Sequence, residues 1–170
     1  MRILVADDHA VVRSGLKTIL GAREGWEVCA EAEAGDEAVA LARAYRPDVA
    51  ILDLNMPGIT GLEAPAGIKK SQPGIELVIL MCHYSGPLLH AIIKTGALGL
   101  VLKSDADRDL VAAVEAVWRG EPYVSRHVAA MLPASSRTTP LFMLLAESDL
   151  LTAQERERVR LVARQMRHLL

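Results

Sequence analysis

Residues 49–58 read Val-Ala-Ile-Leu-Asp-Leu-Asn-Met-Pro-Gly, an apolar run that reaches a carboxylate at Asp53 and then a Pro-Gly turn. A short continuous apolar run bounded by turn residues is typical of a strand that is covered on both faces. Similar runs lie on either side of it along the chain. We predict strands at Ile3–Ala6, Val28–Ala32, Val49–Leu52, Leu77–Met81 and Leu100–Leu102.

The segments between these runs carry apolar residues at helical spacing. Val12, Leu16, Ile19 and Leu20 follow the pattern i, i+4, i+7, i+8, and related patterns recur at residues 38–45, 89–96 and 110–118. Strands that alternate with helices in this way predict a single parallel sheet with helices on both faces. We therefore expect an α/β fold, a doubly wound five-stranded parallel sheet, with its ligand crevice outside the carboxyl ends of the strands.

Three of the predicted strands are followed by residues that a phosphoryl-transfer site needs. Asp7 and Asp8 follow the first strand, Asp53 follows the third and Lys103 follows the fifth. Parallel strands place these ends at one edge of the sheet. Packed carboxylates repel one another unless a cation joins them, and Mg²⁺ commonly binds one or two carboxylates together with a phosphate. A carboxylate can also attack phosphorus, while a metal ion and a lysine neutralise the transferring group.

The motifs at these strand ends resemble the receiver domain of two-component response regulators. They are Val-Ala-Asp-Asp-His at 5–9, Leu-Asp-Leu-Asn-Met-Pro-Gly at 52–58 and Val-Leu-Lys-Ser at 101–104. His-Tyr-Ser at 83–85 and Gly-Glu-Pro-Tyr at 120–123 resemble the NarL/LuxR-type branch of transcriptional regulators. The resemblance covers residues 1 to about 128 and implies the flavodoxin-like strand order 2-1-3-4-5.

The resemblance also implies a role for each motif residue. Asp53 is the expected acceptor of a phosphoryl group from a histidine kinase, and Lys103 is expected to pair with the phosphoryl oxygens. Asp8 and Asp53 are expected to bind Mg²⁺ through their carboxylates. Asp7 is expected to act largely through water, and Asn55 through its backbone carbonyl. His9 is instead expected to be a polar cap of the first helix. A homodimer through the fourth helix, fifth strand and fifth helix is the expected assembly.

Two positions depart from the family pattern. Met81 stands at the end of the fourth strand, where the family has a Ser or Thr that hydrogen-bonds the phosphoryl group, and methionine offers no donor. Leu100 stands on the fifth strand, where the family often has an aromatic residue that swings inward on activation. These altered switch positions leave an alternative open: a receiver-like interaction module whose output is independent of phosphorylation.

A third interpretation is a phosphatase that uses an aspartyl nucleophile on a doubly wound sheet. Such enzymes usually carry a second acid two residues after the nucleophile, and position 55 is Asn, which counts against this interpretation. We therefore expect a phosphoryl acceptor and not a turnover enzyme.

The composition changes after Gly120, which predicts three segments. We expect the receiver at residues 1–120, a linker with a short helix at 121–150, and the first helix of an incomplete LuxR-type helix-turn-helix domain at 151–170. The last segment begins with a capping-box pattern at Thr152 and Glu155. Because DNA reading needs a recognition helix in the major groove, we expect DNA binding only in a full-length form.

The composition bounds the remaining function classes. The net charge is −2 with a pI near 6.2, which excludes a basic field over the whole molecule. The first apolar run becomes acidic at Asp7, which does not fit a signal peptide, and the apolar stretches are far shorter than a bilayer span. We therefore expect a cytoplasmic protein with no membrane partner.

Overall fold

The computed structural model describes residues 1–59, 61–83 and 85–131. The strands are β1 Arg2–Ala6, β2 Glu27–Ala32, β3 Val49–Asp53, β4 Glu76–Met81, β5 Gly99–Leu102 and β6 Tyr123–Val124. The helices are α1 Ala10–Gly21, α2 Gly35–Tyr45, α3 Glu63–Ser71, α4 Gly86–Lys94, α5 Ala106–Trp118 and α6 Arg126–Met131, with a 3₁₀ turn at Lys103–Asp105. The predicted capping box and final helix lie outside the described residues, and the predicted domain boundaries stay predictions.

All strand pairs are parallel, and the strands lie in the order β2-β1-β3-β4-β5-β6. The predicted doubly wound α/β fold is thus confirmed, but the predicted number of five strands was wrong. The sixth strand contains only Tyr123 and Val124, which is too short for apolar periodicity to identify. It forms because the amide of Tyr123 donates to the Leu98 carbonyl at 2.9 Å and that of Ser125 to the Leu100 carbonyl at 2.8 Å.

The burial of the strands explains their apolar sequences. Every residue of β3, β4 and β5 is buried, and so is every residue of β1 except Arg2. The α1 helix packs against α5, and α2 packs against α3, so that apolar helix faces cover the sheet. No helix within the described ranges is long and apolar enough to cross a membrane.

The register of the central strands determines where their polar ends lie. In the β1–β3 ladder Ala6 is opposite Leu52, so Asp7 and Asp53 are neighbours just beyond that pair. The chain order reverses at β1, which lies between β2 and β3, and ligand crevices of doubly wound sheets form at such switch points. In the β4–β5 ladder Met81 is opposite Leu102, which brings Lys103 to the same edge.

Candidate functional site

The predicted acidic and basic side chains meet at the carboxyl edge of the sheet. Asp7 and Asp53 are buried, with 0% and 1% of their surface exposed, whereas Asp8 is exposed to solvent. The Lys103 ammonium lies 2.6 Å from Asp7 Oδ2 and 2.9 Å from Asp53 Oδ2. Strand ends that are separated by up to 96 positions in the sequence, from 7 to 103, therefore form one charged cluster.

The chemistry of the cluster fits a hard divalent cation. Asp7, Asp8, His9 and Asp53 each offer an atom within 4.8 Å of the others. Asp53 Oδ1 is buried and has no hydrogen-bond partner among the described residues, although Oδ2 of the same carboxylate is bonded to Lys103. Three carboxylates face a single lysine ammonium here, so the cluster has spare negative charge and spare oxygen ligands. Mg²⁺ prefers such ligands and neutralises such charge.

The environment of Lys103 keeps its side chain charged. Burial on its own lowers the pKa of this lysine, but hydrogen bonds to Asp7 and Asp53, together with their negative charges, outweigh burial and raise the pKa above its usual value of 10.5. The ammonium is therefore a permanent cation at neutral pH, and it lies beside the buried carboxylates of Asp7 and Asp53. A lysine in this position can neutralise charge that develops on a transferring group.

The backbone around Asp7 holds this carboxylate rigidly. Its amide donates to the Ala32 carbonyl at 3.1 Å, which ties the end of β1 to β2. Its Oδ1 accepts a hydrogen bond of 2.9 Å from the amide of His9. Its carbonyl accepts a hydrogen bond of 2.7 Å from Nη1 of Arg13. The position of Asp7 is thus determined by contacts from two other elements of the fold.

Two residues, His9 and Arg13, make contacts at the site that the local sequence pattern did not predict. His9 occupies the N-cap position of α1, but its side chain makes no capping hydrogen bond, so the predicted role as a polar cap was wrong. Its Nδ1 lies 2.6 Å from Asp8 Oδ1 and 3.4 Å from Asp7 Oδ1, so the ring contacts the acidic pair. Arg13 is buried on the same face of α1 as Leu16 and Leu20, and this spacing was the available signal for a buried arginine.

A cavity of about 290 Å³ lies beside Leu54 and Asn55, which follow Asp53 in the sequence, and reaches the end of β4 and the start of α4. Met81 ends β4 as an apolar part of its wall and is 2% exposed, while Asn55 is exposed at the rim. Leu100 is also 2% exposed and lies in the core. Both departures from the family pattern are thus packed apolar side chains. The cavity is lined by Leu54, Asn55, Gly61, Leu62, Met81, Cys82, His83 and Leu88.

Sequence comparison finds relatives over most of the chain. The family described as "Response regulator receiver domain" matches residues 3–115. The response regulator UvrY of Escherichia coli O6:H1 is 34% identical over 154 residues, which cover 88% of this chain and 71% of UvrY. The oxygen regulatory protein NreC of Staphylococcus epidermidis is 43% identical over 133 residues, which cover 78% of this chain. The match spans 61% of the length of NreC.

Solved structures share the fold at similar coverage. A two-component response regulator of the LuxR family from Aurantimonas sp. SI85-9A1 has a TM-score of 0.72 and 34% identity, over 76% of this chain and 92% of that one. The isolated receiver domain of RcsB from Salmonella enterica serovar Typhimurium, in the presence of the phosphomimetic BeF₃⁻, has a TM-score of 0.73 and 28% identity. That match covers 78% of this chain and 99% of the RcsB domain.

Proposed function

Because this chain belongs to the response regulator receiver domain family, in its NarL/LuxR-type branch, we propose that it accepts a phosphoryl group from a histidine kinase on Asp53. The observation that carries the proposal is the state of the two Asp53 oxygens. Oδ2 is held by Lys103 at 2.9 Å, and Oδ1 is buried without a hydrogen-bond partner among the described residues. One oxygen is therefore available as a nucleophile, while the other keeps the carboxylate oriented.

The transfer step follows from the roles of these side chains. An oxygen of Asp53 attacks the phosphorus of a phosphohistidine, a P–O bond forms, and the P–N bond to the kinase histidine breaks. The Lys103 ammonium then pairs with a phosphoryl oxygen, and this ion pair replaces part of its contact with the carboxylates. The product is an acyl phosphate on the regulator, and each chain accepts one group. The protein is in this proposal a phosphoryl acceptor and not a turnover enzyme.

The proposed cofactor is Mg²⁺, held by the carboxylates of Asp8 and Asp53, by Asp7 largely through water, and by the backbone carbonyl of Asn55. When bound, the ion supplies positive charge that offsets the charge of the phosphoryl group. The proximity of the three carboxylates supports this assignment. The role of Asn55 rests on the family resemblance.

We also propose that the receiver controls transcription in a full-length form that binds DNA, and that it forms a homodimer through α4, β5 and α5. The apolar side chains of α4 mostly serve the core of the protein. Leu89, Ile92 and Ile93 are buried in the core, and only Leu88 is half-buried. Of these four apolar side chains, only Leu88 would therefore be available to a dimer contact on α4.

A second candidate is an interaction module whose assembly does not depend on phosphorylation. The observation that favours it is the buried, apolar state of Met81 and Leu100, because neither side chain can bond a phosphoryl group or swing inward like an exposed aromatic residue. Size-exclusion chromatography with and without an acyl-phosphate donor separates the two candidates. An unchanged elution volume of phosphorylated protein favours the second.

The test of phosphorylation is the intact mass after incubation with acetyl phosphate and Mg²⁺. We expect one phosphoryl mass on the wild-type chain, loss of this mass in Asp53→Asn, and retention in Asp48→Asn. Asp48 is a matched control because it is an exposed aspartate just before β3, where its carboxylate accepts a hydrogen bond from the amide of Arg2. A wild-type chain that gains no mass, or an Asp53→Asn chain that still gains it, would overturn the proposal.

A further inference from the structure

Arg13 connects the acidic cluster to the end of β2. It lies in the first turn of α1 and is only 8% exposed. Its Nη1 donates to the Asp7 carbonyl at 2.7 Å. Its Nη2 pairs with Glu33, which follows β2, and its Nε lies 3.8 Å from Glu31 Oε2. The guanidinium thus bridges two segments of the chain from a buried position.

The Asp7 carbonyl affects the geometry of the acidic cluster because it belongs to the peptide bond that joins Asp7 to Asp8. A peptide unit is planar, so fixing this oxygen fixes the plane that connects the two Cα atoms. The Asp7 amide is fixed as well, by the Ala32 carbonyl at 3.1 Å. With both ends of Asp7 held, the direction in which the Asp7 side chain leaves the backbone is determined, and the peptide plane that enters Asp8 is restrained.

The charge of Arg13 is already balanced away from the acidic cluster. Glu31 and Glu33 both lie against its guanidinium, and Glu31 also binds Lys17 at 2.6 Å. The contact of Arg13 with the site is to a neutral backbone carbonyl and not to a carboxylate. Its effect on the site is therefore geometric. An arginine suits this role because its planar fork can donate in two directions at once, which a lysine ammonium on a flexible stem does poorly.

We propose that Arg13 is a positioning residue that fixes the Asp7–Asp8 peptide and thereby sets the affinity of the acidic cluster for Mg²⁺. This inference rests on the proposed function, since it concerns the proposed Mg²⁺ site. Residues that orient metal ligands typically change metal affinity by about 10- to 100-fold when they are mutated. We expect an effect at the lower end of this range, because Asp7 keeps its hydrogen bonds to Ala32 and His9.

The experiment is a calorimetric titration of the full chain with MgCl₂, without phosphodonor. We expect Arg13→Gln to weaken Mg²⁺ binding by about 10-fold. Lys17→Gln is the matched control, because it removes a cation from the same Glu31 one turn further along α1 but leaves the Asp7 carbonyl bonded. It should change the Mg²⁺ affinity by less than about twofold. Amide exchange of the metal-free protein should be faster at Asp8 in Arg13→Gln than in Lys17→Gln.

Arg13→Lys tests whether the geometry or the charge of Arg13 matters. It is also a more conservative second variant, for the case that Arg13→Gln does not fold. It keeps the positive charge and most of the stem, yet we expect it to lose Mg²⁺ affinity as Arg13→Gln does. Wild-type affinity in Arg13→Lys, or equal affinities in Arg13→Gln and Lys17→Gln with both folded by urea titration, would overturn the inference. A wild-type chain that binds no Mg²⁺ and gains no phosphoryl mass would instead refute the proposed function itself.

Discussion

Removal of the Lys103 ammonium should destabilise the metal-free protein strongly, and Mg²⁺ should reverse much of the loss. The side chain is 16% exposed, while the two carboxylates that it joins are fully buried. With an effective dielectric constant of about 20, each contact corresponds to a gross attraction of about 6 kcal/mol. Desolvation offsets most of this attraction. Removing one partner of a buried ion pair nevertheless costs about 3–5 kcal/mol, because the remaining charge is buried without compensation.

For Lys103→Met we expect a loss of about 3 kcal/mol in the free energy of unfolding. We choose the lower end because the lysine is partly exposed to solvent. In Mg²⁺ the deficit should shrink, because a bound cation replaces the ammonium as a counter-charge and stabilises the folded state by mass action. The Mg²⁺ affinity of this variant should exceed that of the wild type, since no ammonium competes for Asp7 Oδ2 and Asp53 Oδ2.

The assay is urea unfolding of Lys103→Met and wild type, once in EDTA and once in millimolar Mg²⁺. Lys70→Met is the control, because Lys70 is an exposed lysine of α3 and should tolerate the change within about 0.5 kcal/mol. A loss below about 1 kcal/mol in EDTA would refute the view that Lys103 compensates buried charge. An equal deficit in EDTA and in Mg²⁺ would refute the view that the ammonium and the metal serve the same carboxylates.

Three further predictions concern positions around the site and at the opposite edge of the sheet. Met81→Thr should lower the free energy of unfolding, measured in urea, by about 2 kcal/mol because packing is lost. Because it restores a hydroxyl at this position, it should also enlarge the change in size-exclusion elution volume on phosphorylation, and an unchanged elution shift would contradict this second effect. Lys69→Met should cost about 3–5 kcal/mol, because its buried ammonium bonds two backbone carbonyls and Glu76 at 2.9 Å; adding Glu76→Gln should recover part of this loss in the same urea assay. Burial raises the pKa of Asp105, but hydrogen bonds from His127 and Ser125 outweigh burial and leave the pKa below its usual value of 3.8. The ionised carboxylate therefore stabilises the folded state above about pH 3.8, and this stabilisation is lost as the pH falls through the lowered pKa. His127→Ala should move that acid loss to higher pH in a pH series of urea melts, and coincident curves for mutant and wild type would contradict the assignment.

The apolar runs were sufficient to predict the central strands and the identity of the charged residues at their ends. Strands buried on both faces must be continuously apolar, so β1, β3, β4 and β5 were found within one residue of their observed starts and ends. Because parallel strands share a carboxyl edge, the meeting of Asp7, Asp53 and Lys103 followed from their place after those runs. Asp53 is itself the last residue of β3, one position beyond the predicted end.

Contacts that depend on register between distant segments could not be read from local patterns. The two residues of β6 carry no periodicity, and they form a strand because the amides of Tyr123 and Ser125 donate to the carbonyls of Leu98 and Leu100. The side chain of His9 contacts Asp8 instead of capping α1, because the neighbouring carboxylates offer it an ion-pair partner. Arg13 lies at the spacing of the buried face of α1, but that spacing does not indicate its partners. The pairing of β1 with β2 brings Glu31 and Glu33 to the side of β1 that Arg13 covers, where its guanidinium also donates to the carbonyl of Asp7.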